Sequence, residues 1–297
     1  MRKITILTCK KYLELDTSVP YEANIQLEYN LLKDALVSKG VSVERTNWDN
    51  TDYNFAKTDA IVFRTIWDYF ERYEEFSVWL EKVSKLTTVI NPLSLIQWNI
   101  DKHYLADLSD KGVSVMESVF INTGEHQSLN AICLKKGWDD IVIKPAISGA
   151  AMHTYKIMAS EISKNEALFR KLVDERDMLV QEFQPTIMTK GETSLMIFNG
   201  KFTHAILKRT KEGEFRVQDD FGGTVHAYEP NSNEIELAEK AFAVCDPKPA
   251  YGRADIVWDT EGNPMISELE IIEPELWVRT YPNSAFDFAE GILSFVK

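Results

Sequence analysis

Apolar residues recur along this chain in two alternating periods. Residues 4–9, ITILTC, form a short β-rich run. Residues 22–38 then place Ile25, Leu27, Leu31, Leu32, Ala35 and Leu36 at helical spacing ahead of Gly40. The first pattern predicts a buried strand and the second a helix with a glycine stop. Strands at 41–46 and 60–64 and a helix at 74–86, with Phe76, Trp79, Leu80 and Val83 on one face, continue the alternation. Such alternation predicts a parallel sheet with crossover helices, in which ligands gather at the carboxyl ends of strands. Residues 8–16 and 64–69 lie at such ends. Arg64 is a fork for carboxylate or phosphate, and Trp67 and Tyr69 would wall a pocket; a surface salt bridge and two core aromatics explain them equally well. No G-x-G-x-x-G follows the first strand, which argues against a dinucleotide site.

Asn91-Pro92 breaks the pattern and sets a boundary, giving lobes at 1–91, 92–182 and 183–297. Residues 93–110 read as one helix containing Asp101-Lys102. A strand at 141–146, IVIKPA, carries Lys144, and a turn of small residues at 147–151 leads to a strand at 152–158. Lysine is almost never buried unpaired, so a phosphate bound there would satisfy Lys144, with the loop lending backbone N–H groups; an ordinary hairpin is the plain alternative. A helix at 161–176 and a strand at 178–183, MLVQEF, follow. Asn199-Gly200 between β-rich runs at 191–198 and 201–209 predicts a tight hairpin, with Lys208, Arg209 and Arg216 beyond it. Residues 221–223 read as a turn, and 235–244 and 286–296 as helices.

The densest chemistry lies at 251–277. Strands at 251–258 and 265–272 flank turn residues 260–264. A two-residue loop at Glu261-Gly262 puts Asp255 opposite Glu268, with Glu270 on the same face. Like charges so placed destabilise a sheet unless compensated. Arg253, opposite Glu270 in this register, is one compensation, and divalent cations among the oxygens are another.

Composition narrows the function. The chain has 297 residues, 44% of them hydrophobic, enough for two or three lobes of an α/β enzyme. A net charge of −13 argues against a nucleic-acid or membrane-surface partner. Cys9, Cys133 and Cys245 are odd in number and far apart, without disulfide or zinc spacing, which points to a reducing cytoplasm. The amino terminus lacks a signal peptide's pattern, and no apolar run spans a membrane. The five histidines are scattered and read as structural.

Together these features resemble the ATP-grasp superfamily, and within it the glutathione synthetase-like branch, including small ligases of the cycloserine-pathway cyclo-ligase type. Asp101-Lys102, Lys144-Pro145 with Ser148-Gly149, Gln181-Glu182-Phe183, Gly191-Glu192, Arg216 with Gly222-Gly223, Asp255, Glu268-Leu269-Glu270 and Pro274 carry the resemblance over nearly the whole chain. It implies an α/β protein of α+β lobes, with an ATP-grasp fold behind a Rossmann-like amino-terminal domain. ATP would lie between the second and third lobes. Lys102 and Lys144 would hold its phosphates, Ser148 and Gly149 would close over them, and Gln181, Glu182 and Phe183 would line the adenine. Glu192 would approach the ribose or a metal. Asp255, Glu268 and Glu270 would bind Mg²⁺, with Mn²⁺ as the other candidate, and Arg209 and Arg216 would steady the transferred phosphoryl group. Glu270 stands where such synthetases usually have asparagine, and the phosphate loop is poorer in glycine than usual. The implied reaction is ligation of a small amino-acid-like carboxylate to an amine, or cyclisation, through an acyl phosphate. A phosphotransferase and a non-catalytic nucleotide-binding module remain alternatives on the same scaffold. Arg64, Trp67, Asp68 and Arg279 are the positional candidates for a substrate pocket. Relatives commonly associate, but the sequence leaves the oligomeric state open between a monomer and a homo-oligomer.

Overall fold

The structure is a computed structural model that describes residues 2–149, 152–211, 213–217 and 222–296. Three sheets build it. The first holds β1 (Lys3–Thr8), β2 (Ser42–Asn47), β3 (Ala60–Thr65) and β4 (Thr88–Ile90), all parallel, in the order β2-β1-β3-β4. The crossover helices α1 (Pro20–Ser38) and α2 (Tyr73–Val83) begin and end within three residues of the expected bounds. Pro20 opens α1, where its missing N–H costs nothing. The three residues of β4 are too few to show a period.

Residues 93–110 form two helices instead of one, α3 (Leu93–Ile100) and α4 (Tyr104–Asp110). Asp101 is extended between them (φ −99°, ψ 119°), and its Oδ1 accepts the His103 N–H at 3.0 Å, an aspartate doing what such side chains do at helix starts. The break turns Lys102 inward, where its N–H bonds the Ala146 carbonyl at 2.9 Å.

The second sheet is antiparallel: β5 (Ser118–Ile121), β6 (Ile141–Pro145), β7 (Tyr155–Ile157) and β8 (Met178–Glu182) in the order β5-β8-β6-β7. The helices α5 (Leu129–Lys136) and α6 (Ile162–Glu175) cover one face, packing Ile132, Phe169 and Leu172 on Ile141, Ile143 and Val180. The expected strand at 152–158 is confined to β7.

A single turn, α7 (Thr186–Thr189), leads to the third sheet. It contains β9 (Glu192–Phe198), β10 (Lys201–Arg209), β11 (Thr224–Tyr228), β12 (Tyr251–Trp258) and β13 (Pro264–Glu270), antiparallel, in the order β11-β10-β9-β12-β13. Asn199 and Gly200 both have positive φ, as a two-residue turn of this hand requires. The pairing of β12 with β13 puts Asp255 opposite Glu268 and Arg253 opposite Glu270, as expected, by a different route. The loop is not Glu261-Gly262 alone. Asp259 pairs with Asn263 across three residues, and Trp258 faces Pro264. A bulge between Asp255 and Ile256 then absorbs one extra residue near Ser267. The longer loop and the bulge shift the register by one residue each, in opposite senses.

The helix α8 (Ser232–Ala243) packs with α3 and α4 on one side of the third sheet. The last helix, α9 (Ser284–Leu293), lies in a core shared by the first and third sheets, where Phe288 stacks on Phe198 with centroids 4.9 Å apart. The three cysteines are buried and free. Among the described residues no helix is long and apolar enough to cross a membrane. Of the expected small-residue turn, Ala150 and Ala151 lie outside the described residues, as does Phe221 of the expected turn at 221–223.

Candidate active site

A cleft of about 240 Å³ lies between the second and third sheets. Strand alternation aims its side chains. Along β6, Ile141, Ile143 and Pro145 are buried while Val142 and Lys144 line the cleft. Gln181 and Glu182 line it from β8 and Phe183 from just beyond it, and the break before α4 brings in Lys102, which is 5% exposed. Glu192, Lys208, Asp255, Glu268 and Glu270 line it from the third sheet.

The charges form a chain of pairs. Asp255 accepts from Arg253 at both oxygens, 2.8 Å each, and from Ser194 Oγ at 2.5 Å; Lys208 Nζ lies 3.3 Å away. Burial alone would raise its pKa, but Arg253 and Lys208 hold it well below the usual carboxylate range. Arg253 also donates to Glu270 Oε1 at 2.5 Å, and Lys208 pairs with Glu192. Lys102 donates to the Ser148 carbonyl at 2.8 Å and lies 3.3 Å from Glu268 Oε1. Burial pushes Glu270 up to about 8. Lys144 differs from the other cations: it has no hydrogen bond or ion pair among the described residues, and burial lowers its pKa against the pull of Glu268.

Both compensations anticipated for the acidic hairpin can therefore be judged by geometry. Arg253 does neutralise it. The three carboxylates share one face of the hairpin without meeting at a point. The one group of three histidine, cysteine or carboxylate ligand atoms within 4.8 Å of one another among the described residues is Asp101, His103 and Asp177, outside the cleft lining. Both oxygens of Asp255 are engaged, whereas one oxygen each of Glu268 and Glu270 has no described partner. Two hard oxygens beside phosphate-ready lysines fit a divalent cation that takes its remaining ligands from a bound phosphate and water. Asp255 meets Arg253, Lys208 and Ser194 with its two oxygens.

Other site residues are placed as follows. Ser148 and Gly149 line the cleft, and the Phe70 ring packs so closely on Gly149 that a Cβ there would fall 2.6 Å from it. Arg216 lines the cleft, paired with Glu214 at 2.6 Å. Arg209 does not reach it. This residue is exposed, with its guanidinium 3.5 Å from the Thr189 carbonyl, because neighbours on β10 point to opposite sides and the inward one is Lys208, 6% exposed. Arg64, Trp67 and Arg279 converge on a second, smaller cavity. Asp68 does not join them: it accepts from Trp48 Nε1 at 2.8 Å and pairs with Arg72 at 3.0 Å, a structural bracket. Tyr69 is buried in the core of the first sheet instead of walling a pocket.

Comparison with known proteins agrees with this arrangement. Residues 4–91 match the family described as D-cycloserine synthetase DcsG, N-terminal domain, and residues 110–246 match the prokaryotic glutathione synthetase ATP-grasp domain. The chain is 28% identical over 297 residues to the cycloserine biosynthesis protein DcsG of Streptomyces lavendulae, covering 92% of this chain and 96% of that one. It is 29% identical over 154 residues to a glutathione synthetase of Parasynechococcus marenigrum (strain WH8102), covering 51% of this chain and 47% of the relative. The crystal structure of D-cycloserine synthetase DcsG superimposes with a TM-score of 0.85 at 26% identity, covering 99% of this chain and 100% of that one. A RimK domain ATP-grasp protein from Sphaerobacter thermophilus DSM 20745 shares the fold, with a TM-score of 0.68 at 16% identity and 99% of each chain covered. ATP with a divalent metal is what this fold implies. The chain is an ATP-grasp ligase of the glutathione synthetase-like branch, a class that forms C–N bonds.

Proposed function

We propose that this ligase activates a small carboxylate as an acyl phosphate and joins it to an amine, in one molecule or two. The observation that carries the reading is Lys144: a cation with no side-chain partner among the described residues, in a cleft whose other two lysines, Lys102 and Lys208, are each paired with a carboxylate. A triphosphate supplies what it lacks. Lys102 and Lys144 would grip the phosphates with Lys208 behind them, Ser148 and Gly149 would cover them, and Gln181, Glu182 and Phe183 would border the base. Glu192, bound to Lys208, positions that lysine. Arg216 would meet the transferred group. Glu268 and Glu270 would hold the metal, Mg²⁺ or Mn²⁺, which offsets phosphate charge when bound.

In the first step a substrate carboxylate oxygen attacks the γ-phosphorus. The new O–P bond forms as the bond to the β-phosphate oxygen breaks and ADP leaves. An amine nitrogen then attacks the acyl carbon, inorganic phosphate departs, and the nitrogen loses a proton. Positioning and cationic stabilisation do the work, so no nucleophilic side chain is required. Incubation with ATP, the metal, candidate acids and hydroxylamine tests this. An acyl hydroxamate forming with ADP is expected. ADP release without hydroxamate, from an acid that stimulates it, would contradict the acyl phosphate and favour simple phosphotransfer.

A further inference from the structure

The amino-terminal lobe reaches the phosphate loop through one aromatic ring. After β3 the chain makes two successive turns at 66–72, where the Tyr69 N–H bonds the Ile66 carbonyl and the Arg72 N–H bonds the Tyr69 carbonyl. The segment is braced on its inner side. Ile66 and Tyr69 are buried in the core of the first sheet. Asp68 accepts from Trp48 Nε1 at 2.8 Å, and Arg72 pairs with Asp49 at 2.9 Å and with Asp68 at 3.0 Å. Phe70 stands half-buried on this mount, its ring edge-on to Tyr69 with centroids 5.7 Å apart. Packing and charge pairs on both flanks leave the ring little freedom to yield.

The other neighbour of the ring is Gly149. A Cβ added to Gly149 would fall 2.6 Å from Phe70 Cδ1 and 2.7 Å from Cε1, closer than real Cβ atoms approach. Gly149 lacks the positive φ that by itself favours glycine, so the ring and not the backbone keeps a side chain off this position. The loop is held from two directions. Ile147 packs on the core of the first sheet and Gly149 meets Phe70. Ser148, between them, faces Lys102, whose Nζ donates to the Ser148 carbonyl at 2.8 Å and lies 3.3 Å from its Oγ. Phe70 does not line the cleft, so it can act on a bound phosphate only through Gly149.

A free loop that closes over phosphates loses conformational entropy when the ligand binds, whereas a loop seated beforehand has lost it on folding. We propose that Phe70 is a positioning residue of the phosphate site: its ring pins Gly149, so that Ser148 and Gly149 are seated against Lys102 before the nucleotide arrives. Affinity for the triphosphate then depends on a side chain of the amino-terminal lobe. The inference rests on the reading of the cleft as a triphosphate site and adds the residue that holds its loop.

The test is calorimetric titration of ATP with Mg²⁺ into the whole chain, into Phe70→Ala, into Gly149→Ala and into the double variant, with adenosine measured by its competition with ATP. Adenosine carries no phosphate and reports the base site and the fold. Each single substitution should weaken ATP about tenfold and leave adenosine unchanged. In the double variant no ring opposes the new Cβ, so Gly149→Ala should cost less than about threefold once Phe70 is alanine. Phe70→Leu, which keeps an apolar side chain against the loop, should recover part of the loss. A ring that serves packing alone would weaken ATP and adenosine equally. That result, unchanged ATP affinity in Phe70→Ala, or strictly additive effects of the two substitutions would each overturn the proposal. Failure of ATP to bind the unaltered chain would overturn the triphosphate reading itself, and the inference with it, an outcome distinct from any difference among the variants.

Discussion

Single residues in the cleft have separable duties. Lys144 lines the cleft with no side-chain bond to lose among the described residues, so on the proposed reading Lys144→Met should leave thermal stability unchanged or higher and lower turnover by roughly two orders of magnitude, the size expected for losing a charged contact in a transition state. Steady-state ADP release beside thermal melts checks both halves; a large fall in the melting point with normal turnover would remove Lys144 from the site. Asp255 is the opposite case. Its oxygens anchor Arg253, Lys208 and Ser194, so Asp255→Ala leaves two buried cations poorly compensated and should destabilise the fold by about 3 kcal/mol or more. Chemical denaturation would measure that, and a loss below about 1 kcal/mol would show that Asp255 anchors little. Glu268 and Glu270 each keep one uncommitted oxygen, so Glu268→Gln should weaken metal dependence far more than stability.

At the level of elements, two irregularities, the break between α3 and α4 and the bulge in β13, place the chemistry together with the regular alternation along β6 and β10. The break delivers Lys102. Replacing Asp101 by alanine removes its capping bond and should cost about 1 kcal/mol, with a rise in the KM for ATP as Lys102 loosens. A fall in stability with no change in KM would mean that the break does not position Lys102. These irregularities also explain what was and was not legible in the sequence. The long periodic elements, α1, α2, β9, β10 and β12, could be read because each repeats its pattern over several residues. The strands β4, β5 and β11 are three to five residues long and show no period. Residues 93–110 look like one helix because no glycine or proline interrupts them; the bond from Lys102 N–H to Ala146 that fixes the break is a tertiary contact. The pairing of Asp255 with Glu268 came out right only because the loop and the bulge offset each other.

The whole molecule carries its acidic cluster at a cost that depends on pH. Burial pushes Glu270 up to about 8 and Glu273 to about 7, from an ordinary glutamate value of 4.5. Between pH 4.5 and 8 the folded chain thus retains protons that the unfolded chain has released. The stability these two groups contribute is complete below 4.5 and is lost as pH rises through 7 and 8. Asp255, held low, contributes in the opposite direction, and its share is lost only as pH falls below the usual aspartate value of 3.8. The melting temperature of the ligand-free protein should therefore decline as pH rises from about 5 to about 8, from just above the ordinary glutamate value to the higher folded one. Glu270→Gln should flatten the decline, and an unaltered slope in that variant would place the cause elsewhere.

The account stands on a triphosphate completing the cleft around Lys144. Calorimetric titration of ATP with Mg²⁺ into the wild-type chain and into Lys144→Met tests that most directly. Saturable one-to-one binding to the wild type, weakened at least tenfold in the variant, is the predicted result; absence of binding to the wild type, or equal affinity in both proteins, would contradict it.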